Sequence, residues 1–178
     1  MQSFDFSQDY FNLFGLSRCY RLDSAGLEVQ FRALQAQVHP DKSAHLSDAL
    51  QRLAMQRSTL VNEAYQTLKS PIRRARYLLS LQGVDTQEET NTVMPVDFLM
   101  AQMDLREAVE DALRAQDISA LDKQAAQLKA DTRKLEAELA EQIDTLQNYQ
   151  VAAGLVRKLR FMEKLAEEIA SAYDELDN

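Results

Sequence analysis

Turn-forming residues and cysteine are scarce in this chain of 178 residues. It holds four glycines, three prolines and no tryptophan, and aromatic residues make up 7% of it. Because glycine and proline mark the turns between short elements, their scarcity favours an all-α fold. The single cysteine, Cys19, excludes an internal disulfide, and with two histidines it cannot build a zinc module of the usual spacing. We therefore expect no metal site, no cofactor and a reducing compartment.

Long apolar runs and basic leader segments are also missing. No run approaches the roughly 18 residues that a membrane span needs, and residues 1–6 carry an acid but no base. We therefore expect a cytoplasmic protein without a membrane partner. Residues 1–80 carry ten Lys and Arg against seven Asp and Glu, whereas residues 81–178 carry ten against 21. This asymmetry suggests two segments with different partners, and the acidic half argues against nucleic acid.

Four helices are predicted in the first 82 residues. A short one covers 9–15, and a second begins at the N-cap Asp23 and ends near Val38, because Pro40 disfavours helical backbone at the preceding residue. The third covers about 47–69, and the fourth begins at Pro71 and ends near residue 81. Apolar residues at helical spacing give the buried faces of the second and third helices: Leu27, Phe31, Leu34 and Val38, then Leu50, Leu53, Val61, Ala64, Tyr65 and Leu68.

The remainder is predicted to be a linker and a three-helix bundle. Residues 83–94 are polar and lack periodicity, so we assign the domains as 1–82, linker 83–94 and bundle 95–178. The first bundle helix covers about 96–115, and a break at 116–119 separates it from the second. The inward stripes of the second and third helices are Leu121, Ala125, Leu128, Thr132, Leu135, Leu139, Gln142 and Leu146, then Leu155, Leu159, Met162, Ala166, Ile169 and Tyr173.

The tripeptide His39-Pro40-Asp41 lies between the second and third predicted helices. Proline stiffens the turn, which holds its neighbours outward at little entropy loss on binding. Asp41 can accept a charge-assisted pair from an arginine of another protein. The alternative is a simple turn between helices, with Asp41 as a solvated or capping residue.

The whole arrangement over residues 9–82 resembles the J-domain, whose His-Pro-Asp signature lies between its second and third helices. The resemblance implies that this loop and the second helix bind a DnaK-class chaperone and stimulate its ATP hydrolysis. The contact residues would be His39, Pro40, Asp41, Arg32 and Lys42. Arg32 is the one base in the middle of the second helix, so electrostatic steering should be weak, which suggests a specialised chaperone.

One face of the first bundle helix combines methionines with acids. Its inward stripe is Phe98, Leu105, Val109 and Ala112, and the residues off that stripe are Leu99, Met100, Met103, Asp104, Glu107 and Asp111. Methionines on an exposed face suit an adaptable protein-binding surface. A solvated acidic face beside a wide core stripe is the alternative.

The segments Phe98-Leu99-Met100, Leu105-Arg106-Glu107, Arg76 to Leu81 and Val156 to Phe161 resemble the HscB family, the J-type co-chaperones of iron–sulfur cluster assembly. The resemblance implies two partners, an HscA-like chaperone for the J-domain and an IscU-like cluster scaffold for the bundle. It places the scaffold contacts at Leu99, Met100, Met103, Asp104, Glu107, Asp111 and Phe161. Ordinary bundle packing is the alternative for Phe161. The chain lacks the paired-cysteine site of some eukaryotic relatives, which favours the bacterial form.

Several features are left without a function. Cys19 is interpreted as inert, and the basic cluster Arg73, Arg74 and Arg76 as a solvated face, with an auxiliary chaperone contact as the alternative. No catalytic grouping stands out, so we expect no enzymatic activity. The competing functions are a J-domain adaptor for an unrelated client and a plain structural bundle. An ATPase assay and a pull-down with a cluster scaffold would separate them.

Overall fold

The computed structural model describes residues 8–38, 47–88 and 93–176, and every regular element in these ranges is an α-helix. In chain order the helices are α1 (Tyr10–Leu13), α2 (Ser24–Val38), α3 (Asp48–Lys69), α4 (Pro71–Leu81), α5 (Val96–Arg114), α6 (Ile118–Asp144) and α7 (Tyr149–Leu176). The predicted all-α fold is therefore confirmed. None of the described helices combines the length and apolarity needed to cross a bilayer.

The chain divides into two compact units, Met1–Leu81 and Gln82–Asn178. The first contains α1–α4 and the second α5–α7. Residues 89–92 of the proposed linker lie outside the described residues, and the boundaries of 83–94 stay a prediction.

In the first unit α2 and α3 form a helical hairpin, with α1 and α4 packed on α3. Its core contains Phe11, Phe14, Tyr20, Leu27, Val61, Ala64, Leu68 and Leu79. The predicted core position Leu50 at the start of α3 was wrong, since Leu50 is exposed, and Leu53 is half-buried. The hydrogen bonds that join α1 and α4 to α3 are made at Glu63 and Leu68, which lie in the C-terminal half of α3. The N-terminal half of α3 is therefore less covered by these two helices.

Local polar contacts fix the ends of α1 and α2. The Asp9 carboxylate accepts hydrogen bonds from the Asn12 backbone at 3.0 Å and from the Arg18 guanidinium at 2.5 and 3.0 Å. Burial acts to raise the pKa of Asp9, but these donors outweigh it and hold the pKa below its usual value. The predicted N-cap Asp23 accepts from the Ala25 backbone at 3.0 Å.

Arg74 does not belong to a solvated basic face. It is only 7% exposed, its Nη1 donates to the Leu68 carbonyl at 2.6 Å, and its guanidinium carbon lies 5.1 Å from the centre of the Tyr20 ring. The carbonyl belongs to the last turn of α3, where backbone acceptors lack helical partners. Arg74 therefore joins α3 to α4, which corrects the predicted role of the cluster at this position.

The second unit is a three-helix bundle, as predicted. The long pair α6 and α7 packs over most of its length, and α5 lies against both. Two predicted core positions were wrong. Leu146 is 56% exposed because α6 ends at Asp144, before the apolar repeat reaches it, and Ile143 is buried instead. Ala166 is exposed because Leu165 and Ile169 occupy the inward face of α7.

Candidate partner-binding surfaces

Helix α5 carries an apolar and acidic face that points away from the bundle core. Phe98, Leu105 and Val109 pack against the core cluster, in which Ala112 is buried. Met100 and Met103 lie on the opposite side and are 59% and 67% exposed. A helix has 3.6 residues per turn, so residues at the spacing of Met100 and Met103 point away from the side that carries Phe98, Leu105 and Val109.

Acidic residues continue this exposed face towards the C-terminus of α5. Asp104, Glu107 and Asp111 are all exposed. The Arg114 Nη1 donates to Asp111 at 2.7 Å, three residues along the helix. The face is therefore apolar at its N-terminal end and acidic at its C-terminal end, with one of its three carboxylates already paired to a cation.

The apolar end is larger than the sequence pattern indicated. Val96 is 71% exposed and lies four residues before Met100, on the same face of α5. Val93, which precedes the helix, is 81% exposed. The four-residue spacing from Val96 to Met100 was the signal that sequence reasoning missed. We call Val96, Met100, Met103, Asp104, Glu107 and Asp111 the α5 face.

Phe161 on α7 joins α5 beside this face. Its ring meets that of Phe98 edge-on, with 6.3 Å between ring centres, and Lys158 Nζ lies 5.6 Å from the centre of the Phe98 ring. Phe161 and Leu99 are both half-buried, so neither is a fully exposed contact. The contact with Phe98 buries part of the Phe161 ring, and the part of the ring that stays exposed is available to a partner.

A two-point ion pair fixes α5 against α7 next to these residues. Arg106 donates from Nε and Nη2 to the two carboxylate oxygens of Glu168, each at 2.9 Å. The paired geometry of guanidinium and carboxylate fixes orientation as well as distance. Leu99 precedes Arg106 by seven residues, or two turns, so it lies on the α7 side of α5. The sequence pattern did not assign Arg106 this role.

Of the five residues predicted to contact the chaperone, Arg32 is the one that lies within the described ranges. Its side chain is 76% exposed, and its Nε donates to Glu28 at 3.0 Å. The hydroxyl of Tyr65 on α3 donates to the same Glu28. These hydrogen bonds, first that of Tyr65 and then that of Arg32, lower the pKa of Glu28. The other predicted chaperone contacts, His39, Pro40, Asp41 and Lys42, lie outside the described residues.

Two bacterial proteins are similar to this chain over nearly its whole length. It is 56% identical over 172 residues to the co-chaperone protein HscB homolog of Chromobacterium violaceum, covering 97% of each chain. It is 45% identical over 174 residues to the homolog of an Azoarcus species, covering 98% of each. The chain belongs to the HscB co-chaperone family. The family membership predicted from the sequence is therefore confirmed, and these HscB relatives are named as co-chaperones rather than enzymes.

Part of the chain and its fold match further HscB proteins. Residues 94–170 match the family described as the HSCB C-terminal oligomerisation domain. The chaperone HscB from Vibrio cholerae has a similar structure, with a TM-score of 0.85, 40% identity, and coverage of 95% of this chain and 99% of that one. Human co-chaperone protein HscB gives a TM-score of 0.88 at 29% identity, covering 96% of this chain and 84% of the human one.

Two other features of the HscB chain concern possible metal ligands and the single cysteine. Within residues 8–38, 47–88 and 93–176, no group of three His, Cys, Asp or Glu side chains is placed to hold a metal ion. The half-buried Cys19 has its Sγ 3.1 Å from the Arg21 carbonyl oxygen. On the described surface, the α5 face is the strongest candidate for a protein contact, because its two exposed methionines lie beside three exposed acids.

Proposed function

We propose that this protein is a J-type co-chaperone of iron–sulfur cluster assembly. Its bundle would bind an IscU-like scaffold through the α5 face with Leu99 and Phe161. Its J-domain would engage an HscA-like chaperone through His39-Pro40-Asp41, with Arg32 and Lys42, and stimulate ATP hydrolysis. The tripeptide is present in the sequence between the positions of α2 and α3. Membership of the HscB family supports this co-chaperone role.

The observation that carries the scaffold assignment is the exposure of Met100 and Met103 on helix α5. These two large flexible side chains lie one turn apart beside a row of acids, so they form one apolar patch with a charged margin rather than scattered exposed residues, and such patches mark interaction sites. Methionine adapts its shape to a partner, while the acids add specificity and speed association. The surface combines an apolar centre with a charged margin, as protein interfaces do.

The test measures ATP hydrolysis by an HscA-like chaperone alone, with this protein, and with this protein and an IscU-like scaffold. We expect stimulation by the protein and a further rise when the scaffold is added. Asp41→Asn should abolish the stimulation, because the amide cannot form a charged pair with an arginine. The same variant should melt at the wild-type temperature and bind scaffold normally. Normal stimulation by Asp41→Asn would contradict the J-domain assignment.

A further inference from the structure

A groove runs between α5 and α7 on the side of α5 that carries Arg106. Its volume is about 260 Å³, below the roughly 300–1,000 Å³ of small-molecule sites, so it has room for one or two side chains rather than a cofactor. The apolar part of its lining consists of Leu105, Val109, Leu113, Leu165, Ile169 and Ala172. An apolar side chain of a partner would lose contact with water on entering it.

The rim of this groove is acidic. Arg106, Glu110, Glu168 and Glu175 line it, and the one base among them is already paired to Glu168. Glu110 and Glu175 are exposed, and neither has an ion pair within the described part of the chain. The charge left at the rim is therefore negative, which favours a partner segment with lysine or arginine beside its apolar residue.

The groove continues the surface already assigned to the scaffold. Leu99, Arg106 and Leu113 follow one another at seven-residue intervals, so they lie along one side of α5. Leu99 belongs to the predicted scaffold contacts, whereas Arg106 and Leu113 line the groove. Two turns of α5 separate Leu99 from Arg106, so a scaffold bound at Leu99 and Phe161 reaches the groove by extending along α5 over that distance.

We propose that the α5/α7 groove is a second contact site for the scaffold. It takes one apolar side chain from a scaffold segment and pairs Glu110 and Glu175 with flanking basic residues. This inference rests on the proposed function and specifies the chemistry of the partner. A second copy of the bundle fits less well, because residues 81–178 carry 21 acids against ten bases and would bring like charge to an acidic rim.

The test is isothermal titration calorimetry of the full chain with an IscU-like scaffold at low and high salt. Replacing both rim acids (Glu110→Gln with Glu175→Gln) should weaken binding about three- to ten-fold at low salt, from two partly exposed pairs. The difference should shrink at high salt, because rim charges are screened. The matched control changes two exposed acids of α6, Glu138→Gln with Glu141→Gln, and should alter binding by less than about two-fold.

A steric variant tests the same groove without changing its charge. Ser171 is exposed and lines the groove, so Ser171→Trp should fill it and weaken scaffold binding while the melting temperature stays near the wild-type value. Wild-type affinity in both the rim-acid variant and Ser171→Trp would overturn the inference. So would a change in oligomeric state by light scattering with scaffold affinity unaltered, because the groove would then hold a second copy.

Failure of this inference is distinguishable from failure of the proposed function. If Met100→Ala with Met103→Ala weakens scaffold binding and the groove variants do not, the scaffold site is confined to the α5 face and the inference is wrong. If neither set of variants weakens it, the proposed scaffold function is wrong as well.

Discussion

The inward stripe of α5 contains one buried polar side chain, that of Gln102. Gln102 lies between Phe98 and Leu105 on the inward stripe of α5 and is only 8% exposed. Within the described residues no donor reaches its side-chain oxygen. A buried oxygen without a hydrogen bond loses its water without compensation, so this glutamine makes the packing of α5 less stable than an apolar residue would.

We therefore predict that Gln102→Leu stabilises the protein. The gain should be about 1–3 kcal/mol, the cost of burying an unpaired polar group. For a unit of this size, each 1 kcal/mol corresponds to about 4–8 °C in melting temperature, which calorimetry measures. Gln150→Leu, at an exposed position of α7, serves as the control and should leave the melting temperature near the wild-type value. A lower melting temperature for Gln102→Leu would contradict the prediction.

At the scale of the helix, the α5 face can be tested apart from stability. Met100→Ala with Met103→Ala should weaken scaffold binding by about 1–4 kcal/mol, the range for residues that anchor an interface. The free energy of unfolding should change little, because both side chains are largely exposed. Titration calorimetry measures the first quantity and thermal unfolding the second.

The control for this prediction removes exposed apolar side chains elsewhere in the same unit. Ile118 and Leu146 are 51% and 56% exposed and lie near the ends of α6. Their joint replacement by alanine should leave scaffold affinity unchanged. An equal loss in both double variants would mean that binding depends on general apolarity of the bundle and not on the α5 face.

The helices themselves were largely predictable because their ends have local causes. Asp23 caps the start of α2, and Pro71 opens α4, as the sequence predicted. Burial was less predictable where it depends on neighbouring helices. Gln102 is buried in the core although a search for apolar residues does not select it. Arg74 is buried because its guanidinium contacts the Leu68 carbonyl and the Tyr20 ring.

The candidate site was predictable in its residue types and not in its surroundings. Helical spacing placed Met100 and Met103 off the inward stripe but left open a wide core stripe that would bury them, and the structure shows both to be exposed. The pairing of Arg106 with Glu168 joins residues 62 positions apart, and no local pattern indicates it. The groove between α5 and α7 is likewise a product of packing, because its lining comes from both helices.

For the whole molecule, the proposal places two binding functions on one chain. The unit that carries the chaperone motif has a slight excess of bases, whereas the bundle has a large excess of acids. The acidic bundle favours a partner segment with basic residues, whereas charge should contribute little to chaperone binding, since Arg32 is the one base in the middle of α2. Covalent linkage then raises the effective concentration of the bound scaffold near the chaperone, without any new contact.

This linkage predicts that Asp41→Asn acts as an inhibitor in a mixture with the wild-type protein. The variant keeps the bundle and therefore occupies scaffold, yet its J-domain cannot trigger the chaperone. With scaffold limiting, equal amounts of variant and wild-type protein should lower the scaffold-dependent part of the ATPase rate by about half, since the two compete for scaffold with equal affinity. Adding Met100→Ala and Met103→Ala to the variant should relieve most of the inhibition, because that protein binds scaffold more weakly than the wild-type protein does. Inhibition that persists in the triple variant would show that the J-domain, and not the bundle, causes it.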